Sequence, residues 1–249
     1  VGKTTTVLNI ATVLANAGLQ VLVVDLDPQG NASTGIDIAR ADRTPGSYSA
    51  ITGRAPLQDC IRPTQVPNLF IIPADSDLVG AEIELVDQTQ REYQLKTALE
   101  GLEGFSAILI DCPPSLGLLT LNGLVAASSV LVPLQCEFFA LEGLSQLTQT
   151  VERVRASFNP AVYIEGIVLT MFDRRNNLSE LVAADARSFF GKRVYDTVIP
   201  RSVRVSEAPS HGKPVILYDP RSAGAVAYAK LASELTHRLK LRAGAMVIA

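Results

Sequence analysis

Cysteine and histidine are scarce in this 249-residue chain, with three of the first and two of the second. Cys60, Cys112 and Cys136 are odd in number, scattered, and nowhere spaced as CxxC. That excludes a disulfide framework and gives no zinc pattern; the set reads as reduced and cytosolic. His211 lies in a loop-like APSHGKP stretch and His237 near the end of a helical one, and nothing pairs either with a nucleophile. Both read as structural or surface residues, so a histidine-driven hydrolase is not indicated. An uninterrupted apolar run of 18 residues is also missing, although hydrophobic residues make up 47%. The expectation is a sizeable buried core and no membrane span.

Positive charge is short in the first two thirds. Residues 1–172 carry 9 Lys+Arg against 18 Asp+Glu, whereas residues 173–242 carry 13 against 7. The net charge of −3 hides this skew. A solvated helical surface accounts for such an asymmetry, and so does an anionic partner held by the C-terminal third.

What is present is alternation. Gln20–Asp25, Leu69–Ile72, Ala107–Asp111, Val130–Pro133, Ile164–Met171 and Val194–Ile199 are short, apolar and rich in β-branched residues. They read as strands covered on both faces. Helical periodicity fills the gaps over Thr4–Ala17, Gln90–Leu102, Leu116–Ala127, Leu141–Phe158, Leu178–Phe190 and Ser222–Leu241. The pattern predicts an α/β fold: one doubly wound, mainly parallel sheet flanked by helices, as a single domain over 1–249. Ile38–Val66 is polar, with Pro and Gly, and reads as a surface excursion.

The chain opens Val1-Gly2-Lys3-Thr4-Thr5-Thr6, the tail of G-x-x-x-x-G-K-[ST], directly before a helical pattern. In such a loop, backbone N–H groups and a helix N-terminus face phosphates. Lys3 would reach the β- and γ-phosphates, and the Thr4 hydroxyl would bind Mg²⁺. One apolar strand runs into Asp25-Leu26-Asp27-Pro28-Gln29-Gly30. Another runs into Asp111-Cys112-Pro113-Pro114, a Walker-B arrangement with its carboxylate at the edge where open α/β sheets bind ligands.

Taken in order, VGKTTT, VDLDPQGNAS, LIDCPPSLGLLTLNGL, LTMFD and IPRSVRVSEAPSHGKP resemble the ParA/Soj chromosome- and plasmid-partition ATPases, along essentially the whole chain. That family belongs to the deviant Walker A P-loop group, with MinD and the nitrogenase iron protein as cousins. Its loop reads K-G-G-V-G-K-T, and its first lysine reaches the partner's phosphates across a nucleotide-sandwich dimer. Val1 matches the V of that loop. The resemblance therefore implies that the first strand and the start of the P-loop are missing, that the sheet lacks a central member, and that the piece as given binds ATP weakly. It implies ATP and Mg²⁺ as ligands and slow, Mg-dependent ATP hydrolysis. Lys3, Asp27 and Asp111 are the implied catalytic residues, with Asp27 orienting the attacking water. Gly2, Lys3, Thr4 and Thr5 would hold phosphate, and Met171, Pro200 and Arg201 the adenine. Thr4, Asp25 and Asp111 would serve the metal, with Asn9 and Asn122 read either as supporting amides or as helix-surface residues. Arg175 and Arg204 align with arginines that bind DNA without sequence preference, with Arg174, Arg201 and Arg221 as possible helpers. The implied partners are non-specific DNA, a ParB/Spo0J-type protein that stimulates hydrolysis, and a second copy joined by ATP. The implied location is the cytoplasm, on the nucleoid.

A MinD-like membrane-cycling ATPase is the alternative. It needs a basic amphipathic C-terminal helix. Leu235–Leu241 is mildly amphipathic, but the following residues break it at Gly244. No stable membrane association is therefore expected. Cys112 and Cys136 lack the neighbours that a bridging iron–sulfur cluster would require.

Overall fold

Apolar residues at alternate positions sort the strands between two helical layers. The computed structural model describes residues 2–138 and 140–239, and the backbone of 245–248. Its strands are β1 (Val21–Asp25), β2 (Arg62–Pro63), β3 (Leu69–Ile72), β4 (Ala107–Asp111), β5 (Ser129–Gln135), β6 (Tyr163–Thr170) and β7 (Ala245–Ile248). They form one sheet in the order β2-β3-β1-β4-β7-β5-β6. All pairs are parallel except β2–β3. Val21, Val23 and Leu109 face a layer built on helices Lys3–Asn16 and Ala223–Leu239. Leu22, Val24 and Ile110 face the opposite layer, where helices Leu118–Ala126 and Ala140–Ser157 pack. Every residue of β1 and β4 is buried, as expected of central strands covered on both sides.

The register of β1 on β4 sets up the site. Val21 pairs with Ala107, and the ladder runs in step to Asp25 opposite Asp111. The two strands therefore end together, with their carboxylates side by side on one edge.

Several sequence expectations are corrected. Val194–Ile199 is not a ladder strand; it meets the sheet through an isolated bridge between Ile167 and Val194. There the ring of Tyr195 lies against Gly166, where an added Cβ would come within 2.3 Å of it. Glu234 then takes the N–H groups of Asp196 and Thr197, both at 3.0 Å, so a side chain does the work of a neighbouring strand. The helix expected over Gln90–Leu102 shortens to Gln94–Leu99, bounded by positive φ at Gln90 and Gly101. Ile38–Val66 holds helices Ser47–Ile51 and Leu57–Cys60 and the antiparallel edge strand β2, and it buries Tyr48, Ile51, Leu57 and Cys60. Past Gly244, where the amphipathic pattern breaks, β7 runs parallel between β4 and β5. The central position expected to be empty is therefore filled in this structure by β7. Helix Ala223–Leu239 runs to the last described residue before 240–244, and those residues, which hold the expected helix end and part of the amphipathic reading, lie outside the described residues.

Candidate functional site: a phosphate loop facing two strand ends

Gly2 has φ 94°, a left-handed conformation that suits glycine, and it starts helix Lys3–Asn16. The first helical hydrogen bond of that turn runs from Thr6 N to Gly2 O at 2.9 Å. The amides of Lys3, Thr4 and Thr5 precede it, and no side chain caps the end. Free N–H groups at a helix N-terminus form an anion site. A Cβ on Gly2 would stand 3.4 Å from Thr170 Oγ1, so the end of β6 abuts the loop.

Asp25 is fully buried and tied into its surroundings. Oδ2 accepts from Ser33 N at 2.8 Å and Ser33 Oγ at 2.7 Å, and Oδ1 accepts from Asp27 N at 3.2 Å. Burial pushes its pKa up to about 6, the Ser33 and Asp27 hydrogen bonds pull it back, and the Asp27 charge adds to the rise. Ser33 Oγ also accepts from Ala74 N at 3.0 Å, so one hydroxyl joins the ends of β1 and β3. Asp27 begins a turn in which its Oδ1 accepts from Gln29 N at 3.0 Å. Its other oxygen makes no hydrogen bond among the described residues. Arg43, 8% exposed, holds the next segment through Thr34 Oγ1 at 2.8 Å and the Ile38 carbonyl. Burial lowers its pKa, while the Asp25 charge raises it.

Asp111 differs from its neighbour. Both carboxylate oxygens are buried and neither has a hydrogen-bond partner among the described residues. Burial, reinforced by the Asp25 charge, holds its pKa well above the usual range. Thr4 and Lys3 are close enough to oppose that shift, though the Thr4 hydroxyl makes no hydrogen bond to it of ordinary length. An unpaired buried carboxylate is costly unless a cation compensates it. With an adjacent threonine hydroxyl, it fits a hard divalent ion that completes its shell with phosphate and water.

A cavity of about 400 Å³ gathers Gly2, Lys3, Thr4, Thr5, Asp27 and Asn31. A larger hollow of about 600 Å³ also touches Lys3, but its walls are mostly apolar, from Pro113 and β5 to Leu147. The first brings helix-end amides, the Lys3 ammonium and the Asp27 carboxylate together, a set chemically suited to an anion. Met171, with φ 51°, shares a third cavity of about 250 Å³ with Arg201. Phe172 N donates to Ile199 O at 3.1 Å and Arg201 N to Phe172 O at 3.0 Å, which holds Met171 beside Pro200 and Arg201. Thr170, next to Met171 in sequence and to Gly2 in space, joins the two groups.

The remaining candidates lie elsewhere. Arg175 forms a two-armed pair with Asp173, with Nε to Oδ1 and Nη2 to Oδ2 both at 3.0 Å. Arg204 pairs with Glu207 at 3.1 Å and Asp219 at 3.5 Å. Asn9 and Asn122 are buried, not surface amides. Asn9 links Thr5 O to Ile216 N, and Asn122 links Leu118 and Arg91 carbonyls to Leu95 N. Cys60 and Cys136 are buried thiols pushed up to about 11 by desolvation, so they are inert. Sequence reasoning missed Ser33, Arg43 and Thr170; Ser33 closes the VDLDPQGNAS motif, while Arg43 and Thr170 carry no local signal.

Comparison with known proteins agrees with this geometry. The AAA-domain family model matches residues 1–164. The chain is 57% identical over 241 residues to the chromosome partitioning protein ParA of Caulobacter vibrioides, covering 96% of this chain and 90% of that one. It is 53% identical over 236 residues to the sporulation initiation inhibitor protein Soj of Bacillus subtilis, covering 94% and 93%. Among solved structures, a cobyrinic acid a,c-diamide synthase from Mycobacterium smegmatis with bound ADP and magnesium superposes with a TM-score of 0.84 at 36% identity, covering 96% and 90%. The cell division ATPase MinD of Pyrococcus furiosus gives 0.77 at 26% identity, covering 95% and 93%. Phosphate loop, paired strand-end carboxylates and whole-chain similarity converge: the chain belongs to the ParA/Soj family of chromosome-partitioning P-loop ATPases.

Proposed function

We propose that the protein is a DNA-partition ATPase that dimerises on ATP, holds non-specific DNA in that state, and is reset by hydrolysis that a ParB-type protein stimulates. The observation that carries the ATPase chemistry is Asp111, buried and without a partner among the described residues, beside Thr4 at a helix end that no side chain caps. Thr4 and Asp111 would hold Mg²⁺, with Asp25 in support through the loop that it fixes. The ion would supply charge neutralisation at the phosphates. Lys3 and the amides of Lys3–Thr5 bind and orient the β- and γ-phosphates. Phosphoryl transfer needs positioning and charge stabilisation more than covalent help. Asp27, with one oxygen held by Gln29 N–H, presents the other to the attacking water and orients it. Met171, Pro200 and Arg201 receive the adenine.

Arg175 and Arg204 contact the DNA backbone, and contacts to phosphate position a protein without reading sequence. Dimerisation doubles the patch and so couples ATP to DNA. The working location is the nucleoid in the cytoplasm. The diamide synthase likeness stands at 36% identity against 57% for ParA, which favours the partition reading. Filter binding of a random-sequence duplex tests it: retention should require ATP rather than ADP, and Arg204→Glu should abolish it while leaving ATP-dependent dimers intact. Equal retention with either nucleotide contradicts the reading.

A further inference from the structure

A groove of about 760 Å³ runs between the end of β6, the 196–201 segment and helix Ala223–Leu239. Four cationic side chains line it, Arg174, Arg175, Arg201 and Lys230, against two carboxylates, Asp173 and Asp196. One of those carboxylates is committed to Arg175. Arg174, Arg201 and Lys230 form no ion pair among the described residues. Lys230 lies one helical turn beyond Val226, so both face the trough, and both are exposed.

Of the two arginines singled out by sequence, one lines the groove and the other lies beside its Ala223 end. Arg175 lines one wall. Arg204 sits on helix Val203–Glu207, whose Val205 packs so closely on Gly224 that a Cβ there would come within 2.3 Å of it. Gly224 is next to Ala223 in the groove wall. Residues 29 positions apart thus lie on and beside one basic groove, whose lining includes the apolar Val198 and Pro200.

Resting on the DNA reading above, we infer that this groove is the track of the DNA backbone, and that Lys230 and Arg174 are phosphate contacts additional to Arg175 and Arg204. Phosphate displaces Asp173 from Arg175. That pair is solvent-exposed, with the Arg175 side chain 89% accessible, and exposed pairs are weak enough to exchange. Asp196 disfavours close approach at its end of the channel, so the strand rides toward Lys230 and Arg174.

The test is a salt titration of duplex binding by fluorescence anisotropy, on the ATP-loaded full-length protein. Each phosphate contact contributes about 0.9 to the slope of log K against log salt on B-DNA. Lys230→Ala and Arg174→Ala should each flatten the slope by about 0.9 per engaged protomer, and the double variant by about twice that. Lys192→Ala, which removes an exposed charge outside the groove, should leave the slope unchanged. If Arg204→Ala weakens binding while the two groove variants keep the wild-type slope, the groove assignment is overturned and the DNA reading stands. If Arg204→Ala and the groove variants all bind like wild type, both fall. All are surface truncations, so loss of fold does not confuse the result.

Discussion

Asp111 and Asp25 end adjacent strands in register, yet they have opposite surroundings. Asp25 is satisfied by three donors, whereas Asp111 has none among the described residues. Removing the unpaired charge should therefore stabilise the ligand-free protein and destroy its chemistry. Asp111→Asn is expected to raise unfolding stability by on the order of 1 kcal/mol, about 2–4 °C in Tm for a chain of this size, while abolishing Mg-dependent turnover. Calorimetry and a phosphate-release assay on the same preparation check both halves. Asp25 predicts a pH effect. Its folded pKa is raised from 3.8 to about 6, so between those values the folded state binds more protons than the unfolded one. Stability from this group therefore falls as pH rises through that window, by at most ~1.4 kcal/mol per pH unit. Lowering the pH from 7 to 5 should shift the Tm difference between wild type and Asp25→Asn in favour of wild type. The motif residues were legible because each sits at a fixed offset from a strand or helix end. Arg43 and Thr170 were not, since nothing local to either shows that the fold brings it to the loop.

At the scale of elements, β1, β3, β4, β5 and β6 were readable from continuous apolar runs, because parallel strands covered on both faces need them. Val194–Ile199 has the same composition and no ladder. Glu234, nearly 40 positions away, supplies the acceptors that make it an extended wall instead. β2 was invisible, being two residues with a proline at an antiparallel edge. A comparable long-range device closes helix Leu118–Ala126: Asn159 Nδ2 donates to the carbonyls of Leu124, Val125 and Ala127 at 3.1, 3.0 and 2.7 Å. Asn159→Ala should cost about 1–3 kcal/mol in denaturant unfolding, since it leaves buried acceptors unpaired. A loss near zero would mean that water replaces the amide without penalty.

For the whole molecule, the account is a two-state cycle in which nucleotide shifts the population between a free chain and a DNA-bound dimer. The charge skew seen in the sequence acquires a location: cations of the C-terminal third line one groove beside the segment proposed to receive the adenine. Asp173→Asn should tighten ATP-dependent DNA binding a few-fold by releasing Arg175 from its exposed pair; weaker binding would show that Asp173 instead holds Arg175 in its working pose. The measurement closest to the central claim is steady-state ATP turnover of Asp27→Ala in the full-length protein, with DNA and the stimulating partner present. The account predicts a fall of about two orders of magnitude with ATP binding and DNA retention preserved. Turnover at the wild-type rate would remove Asp27 from the site and contradict the mechanism.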